Sequence, residues 1–220
     1  MRFAAPFLAA LRWTMHDLLQ LDSGADGALP LSRGSETRSR VARLCRVGDL
    51  ALCSMRAVIL IGSPGVGKST TLTLLADTLE AEGIANAVVE VESLARAFPY
   101  PPLTQALAAL PAIVELHRKA GHDLLLAAAT PENQGELDAL VDAFGEADVI
   151  VIRLTARSET AVARVTAREP PDWSGLPQLR NTARVLGARL DSLAHIDRVI
   201  ATDDAEAAEV VAEVRAAAGI

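Results

Sequence analysis

The run Gly62-Ser63-Pro64-Gly65-Val66-Gly67-Lys68-Ser69-Thr70 constrains this chain more than any other stretch. It reads as glycine, four residues, Gly-Lys and a hydroxyl side chain, the spacing of a loop that wraps a phosphate. Residues 57–61 before it (Ala-Val-Ile-Leu-Ile) are continuously apolar, as a buried parallel strand should be. Leu72, Leu75, Ala76 and Leu79 after it recur at helical spacing and stop near Gly83. Strand, glycine loop and helix in that order are the context such a loop requires. A chance glycine turn before a helix is the plainer alternative, and that context speaks against it.

The residue types follow from the chemistry. Glycine at 62, 65 and 67 lets backbone N–H groups turn inward without interference from a Cβ. The helix starting near Lys68 adds unpaired N–H donors and a dipole of the sign an anion needs. Lys68 is placed to bridge β- and γ-phosphates, and the Ser69 hydroxyl to ligate Mg²⁺. The expected ligands are therefore ATP and Mg²⁺, held by residues 62–70.

Composition narrows the setting. Half of the 220 residues are hydrophobic and only 3% are aromatic, so the core must be built from Ala, Val, Leu and Ile. That suits parallel strands covered by helices. The net charge of −7 argues against a general nucleic-acid or membrane surface. Cys45 and Cys53 lack metal-site spacing, and two cysteines suit a reducing compartment. No apolar run approaches transmembrane length. Residues 3–11 resemble a weak signal-peptide core, but Arg12-Trp13 interrupts it and no small-residue cleavage site follows. A cytoplasmic setting is expected.

Residues 1–54 read unlike the rest. Phe7, Leu8, Leu11, Met15, Leu18 and Leu19 have the spacing of an amphipathic helix, residues 21–36 of a linker, and Arg38, Arg40, Arg43 and Arg46 form a basic stretch. The expectation is a dispensable extension, even an over-extended translation start, before a domain spanning 55–220; the alternative is a docking arm.

Beyond the glycine loop, residues 87–91 predict a second strand, with Glu90 and Glu92 on one side by period two. Carboxylates at that edge suit a ligand site: Glu92 as acceptor of a hydroxyl proton or as a water-mediated Mg²⁺ ligand, with Glu90 orienting it. Two solvated strand-end acids are the bland alternative. Residues 96–102 are too proline-rich to be regular, and Arg96 or Tyr100 there is a candidate substrate contact. A helix broken at Pro111 follows, and His117 and His122 receive no role. Residues 123–129 predict a third strand, ended by Thr130 as a helix cap and Pro131 as a first helical residue. Residues 149–154 read as an apolar fourth strand. Ser158 is then expected to cap a helix carrying Arg164 and Arg168. A Pro/Gly break at 169–175 leads to a further helix with Arg180, Arg184 and Arg189. Arginines on both sides of such a break suggest a lid over a triphosphate, although solvated helix faces would show the same composition. Trp173 either stacks on a base or staples the lid. Residues 198–201 make a fifth strand, and Thr202 or Asp203 is expected to cap the last helix.

From Met55 onward, this order resembles the small-molecule and nucleotide kinase branch of the P-loop proteins: shikimate, gluconate, adenylylsulfate and nucleoside-monophosphate kinases. Leu154-Thr-Ala-Arg-Ser-Glu-Thr-Ala-Val-Ala-Arg164-Val-Thr-Ala-Arg168 looks like their approach to the lid. Val91-Glu-Ser-Leu-Ala-Arg96 looks like their substrate-side segment, with Glu where Asp is commoner. The resemblance implies a three-layer α/β fold, a five-stranded parallel sheet in the order 2-3-1-4-5 with helices on both faces. It also implies an ATP-dependent phosphotransferase with a small-molecule phosphoryl acceptor. Lys68 and Ser69 would hold ATP and Mg²⁺, Glu92 would act on the acceptor hydroxyl, and Arg164 or Arg168 would cover the transferring group. Two departures stand out: no acid ends the third strand, and no acceptor-specific motif is present. A slow ATP-hydrolysing switch or scaffold is the rival reading.

Overall fold

β1 (Arg56–Ile61) is the middle strand of a sheet whose other members are β2 (Ala87–Glu90), β3 (Leu124–Ala129), β4 (Asp148–Thr155) and β5 (Arg198–Ala201). A computed structural model describes residues 55–95, 97 and 102–220. The expectations for residues 1–54, for Arg96 and for Tyr100 lie outside the described residues.

All strand pairings are parallel, and the order is β2-β3-β1-β4-β5, as the resemblance implied. β1 is covered on both faces. Ala57, Ile59 and Ile61 pack with Leu125, Ala127, Ala129 and Val151 on one side. There they meet α2 (Leu103–Lys119) and α3 (Gln134–Asp142), through Leu107, Leu110, Leu137 and Leu140. Val58 and Leu60 pack with Leu126, Ile152 and Leu154 on the other side. That side is closed by α1 (Lys68–Ala81), through Leu72, Leu75 and Leu79, and by α6 (Ala207–Ala218), through Val210, Val211 and Val214. A strand buried on both faces must be apolar throughout, which is why β1 and β3 show no alternation. Each fully buried Leu or Ile contributes roughly 1.5–3 kcal/mol of apolar transfer.

α4 (Ser158–Arg168) and α5 (Leu176–Leu190) form a hairpin with a small core of its own, Ala161, Val165, Leu176 and Ala183. Trp173 packs into this core and lies over Gly175, where an added Cβ would come within 2.4 Å of its ring. It staples the turn.

Several local expectations are corrected. α2 runs unbroken through Pro111, because Leu107, Leu110 and Val114 are buried on one face and outweigh the one missing hydrogen bond. α3 is capped by Asn133, not Thr130; the Asn133 Oδ1 accepts from the Glu136 N–H at 3.0 Å, and the Glu136 carboxylate accepts from the Glu132 N–H. α6 starts in a capping box of Glu206 and Glu209, so neither Thr202 nor Asp203 caps it. Ser158 is the first helical residue of α4 and makes no cap; Asp203 accepts from the Arg157 N–H at 2.9 Å instead.

Candidate functional site

The phosphate loop joins the carboxyl end of β1 to α1. Gly62, Gly65 and Gly67 all have positive φ. Two of them are held by close neighbours as well as by conformation. A Cβ on Gly62 would lie 2.5 Å from the Leu154 carbonyl oxygen, and one on Gly65 would lie 2.4 Å from that of Ala161. Gly67 has open space beside it, so only its φ of 99° requires glycine. The first bond of α1 from outside the helix runs from the Thr71 N–H to the Gly67 carbonyl. The N–H groups of Lys68, Ser69 and Thr70 thus stand at the open amino end of the helix, as an anion site requires.

The Lys68 ammonium curls into the loop and donates to the Gly62 carbonyl at 2.7 Å and the Ser63 carbonyl at 3.3 Å. Burial pushes its pKa down to about 8; Glu92, then Glu90, pull it back up, and Arg168 adds to the depression. The residue keeps some exposed surface, but its charged end sits inside the loop. The charges that act on Lys68 are thus three side chains of the expected site, Glu92, Glu90 and Arg168. Glu92 gets there by a different route than expected. β2 ends at Glu90, and Val91–Ser93 form a single 3-10 turn that carries Glu92, exposed, past the strand end. Period two therefore does not relate the two acids.

Arg168 lies at the carboxyl end of α4, is largely exposed and pairs with Glu169 at 2.7 Å. Arg164 is engaged differently. Its guanidinium donates to the Thr202 carbonyl at 2.6 Å, the Thr202 hydroxyl at 3.0 Å and the Gly65 carbonyl at 3.5 Å. Thr202, 4% exposed, in turn donates its hydroxyl to the Val66 carbonyl at 2.9 Å. Arg164 and Thr202 thus tie the phosphate loop to α4 and to the end of β5.

The residues present fit ATP and Mg²⁺ at the loop: glycine backbone, helix amino end, Lys68 and the Ser69 hydroxyl. The acid that commonly accompanies Mg²⁺ at the end of β3 is replaced by Ala127, Ala128 and Ala129, all buried. The carboxylates near Lys68 come from the end of β2.

The apolar pattern of β4 hides Arg153, which is 8% exposed and lines a cleft of about 320 Å³ with Ser63 of the phosphate loop. The signal was a charged residue inside an apolar strand.

The AAA ATPase domain family matches residues 31–215. No curated protein matches the chain. Among solved structures, it is similar to a sugar kinase from Janibacter sp. HTCC2649 at 17% identity and TM-score 0.55, covering 76% of this chain and 95% of that one. A gluconokinase from Sinorhizobium meliloti 1021 aligns at 16% identity and TM-score 0.52, covering 74% and 91%. The Mycobacterium tuberculosis APS kinase, solved with AMPPNP and APS, aligns at 15% identity and TM-score 0.52, covering 76% and 99%. At these identities the likeness establishes the P-loop fold. No described helix is long and apolar enough to cross a membrane.

Proposed function

The chain belongs to the AAA ATPase domain family, and on that premise we propose that it binds ATP with Mg²⁺ and transfers a phosphoryl group to a small-molecule or nucleotide acceptor. The carrying observation is the electrostatic grouping of Glu92, Glu90 and Arg168 around Lys68. In this reading the carboxylates that follow β2 and the Arg168 guanidinium of α4 serve one phosphate site. Lys68 and the amino end of α1 hold the phosphates, and Ser69 holds Mg²⁺, which neutralises phosphate charge when bound. Glu92 accepts the proton of the acceptor hydroxyl, Glu90 orients it, and the exposed Arg168 exchanges its partner Glu169 for a phosphate oxygen. Positioning and charge neutralisation carry such a reaction. The kinase names of the structural neighbours support the same reading.

The family match favours a second reading, ATP hydrolysis without an acceptor. The alanines at the end of β3 do not separate the two, since an acid there would serve Mg²⁺ in either. ADP release from ATP–Mg²⁺ separates the two, measured with and without a panel of hydroxyl- and phosphate-bearing acceptors. Strong stimulation by one acceptor is the expected result; slow, acceptor-independent turnover would favour hydrolysis.

A further inference from the structure

β4 carries one charge into a covered part of the molecule. Arg153 alternates with Ile152 and Leu154, whose side chains fill the α1–α6 core, and so projects from the opposite face. It pairs in register with Ile61, the residue before Gly62. Its Nη2 donates to the Asp191 carboxylate at 2.6 Å, just past the end of α5. Its Nε, on the same guanidinium edge, is buried and has no hydrogen-bond partner among the described residues. A buried cation with an unmet donor is costly, and native structures keep few such groups.

The edge formed by Nε and Nη2 is one that a carboxylate or phosphate engages with two parallel hydrogen bonds. Asp191 takes one of the two, and its own side chain is 67% exposed. The cleft beside it is lined from α5 by Arg184, Gly187 and Ala188, with Asp191 one turn on, a single helical face. Small residues keep it open: a Cβ added at Gly187 would meet nothing within 4 Å. At about 320 Å³ it suits a small ligand. Ser63 joins it to the phosphate loop, since the Ser63 carbonyl accepts from Lys68.

We propose that this cleft is a subsite for a compact oxyanion, a carboxylate or phosphate group, anchored on the Nε–Nη2 edge of Arg153 with Arg184 as second cation. That the oxyanion belongs to the acceptor rests on the phosphotransferase reading. A ligand held there by its charged end extends past Ser63 toward the phosphate loop. Asp191 stands in for it and swings into water when it binds.

The test is binding to the full chain with Mg²⁺ and a non-hydrolysable ATP analogue already on the phosphate loop. The probes are inorganic phosphate, glycerate and, as uncharged control, glycerol. Phosphate or glycerate should bind saturably, and glycerol should not. Arg153→Gln should weaken binding by about tenfold or more, and Arg184→Ala by about threefold. Asp191→Asn should tighten it, and the probe should raise the melting temperature of that variant more than that of the parent. If Arg153→Gln does not fold, the two exposed positions decide. Tighter phosphate points to a phosphorylated acceptor, tighter glycerate to a carboxylate. No saturable binding, or binding indifferent to these substitutions, overturns the subsite. Binding that depends on Arg153 without phosphoryl transfer to any acceptor sinks the phosphotransferase reading and leaves the subsite; transfer indifferent to Arg153 and Arg184 does the reverse.

Discussion

Arg164 grips Thr202 twice, donating to its carbonyl at 2.6 Å and its hydroxyl at 3.0 Å, and the two together hold the carbonyls of Gly65 and Val66. α4, the end of β5 and the phosphate loop are thereby locked to one another. Arg164→Ala and Thr202→Val should each cost about 1–3 kcal/mol of stability, because each leaves buried polar groups without partners. The double variant should lose less than the sum, with a coupling of about 0.5–3 kcal/mol in a denaturation cycle. Strict additivity would mean that the pair is incidental.

The glycines of the loop are not equivalent. Gly65→Ala combines a φ of 87° with a Cβ 2.4 Å from the Ala161 carbonyl oxygen. The backbone must move, and ATP binding should be lost along with stability. Gly67→Ala has room for the methyl group and should cost only about 1–2 kcal/mol, the strain of the left-handed conformation. Calorimetry on the two variants measures the difference, and equal losses would contradict the packing seen around Gly65.

Lys68 titrates near 8 in the folded chain because burial disfavours its charge. The unfolded chain keeps the ordinary lysine value and so binds more protons between about pH 8 and 10.5. Burying the ammonium therefore costs stability below pH 8, and that cost is relieved as pH rises through this window. ATP binding runs the other way. Phosphate anions stabilise the protonated form, so affinity should fall above pH 8, by up to about tenfold per unit. Isothermal titration against pH should show proton uptake on binding, and Lys68→Met should flatten the profile.

Glu92 is the largest charge opposing that depression. Glu92→Gln should therefore lower the Lys68 titration further, a change visible by NMR without any turnover. Transfer should fall by about 10²–10⁴-fold, the usual contribution of a general base, while ATP still binds. Unchanged transfer with a shifted Lys68 would leave Glu92 an electrostatic neighbour and remove it from the chemistry.

Much of the fold was legible because its signals are local. The apolar run of β1, the glycine loop and the Leu72, Leu75, Leu79 stripe each identify themselves within a few residues. The strand order came from a family resemblance and agrees with the sheet. Helix starts were misread where caps compete. Thr130 looked like a cap beside Pro131, but Asn133 with Glu136 satisfies two N–H groups at once. Local pattern also misplaced Glu92, because nothing in Val-Val-Glu-Val-Glu shows that β2 stops pairing with β3 at Glu90.

The sequence by itself determined that a phosphate loop stands between a buried strand and a helix, since glycine spacing, apolar runs and Lys68 need no distant partner to be read. The tertiary structure alone decided what the side chains far from that loop do. Asp203 serves the start of α4 rather than of α6, and Thr202 braces Val66 across 136 positions of chain. Arg153 became a cleft residue only once α5 was laid beside β4. Hydrogen bonds and ion pairs act over a few ångströms in space regardless of separation along the chain, and which groups come that close is set by how the strands order and the helices pack.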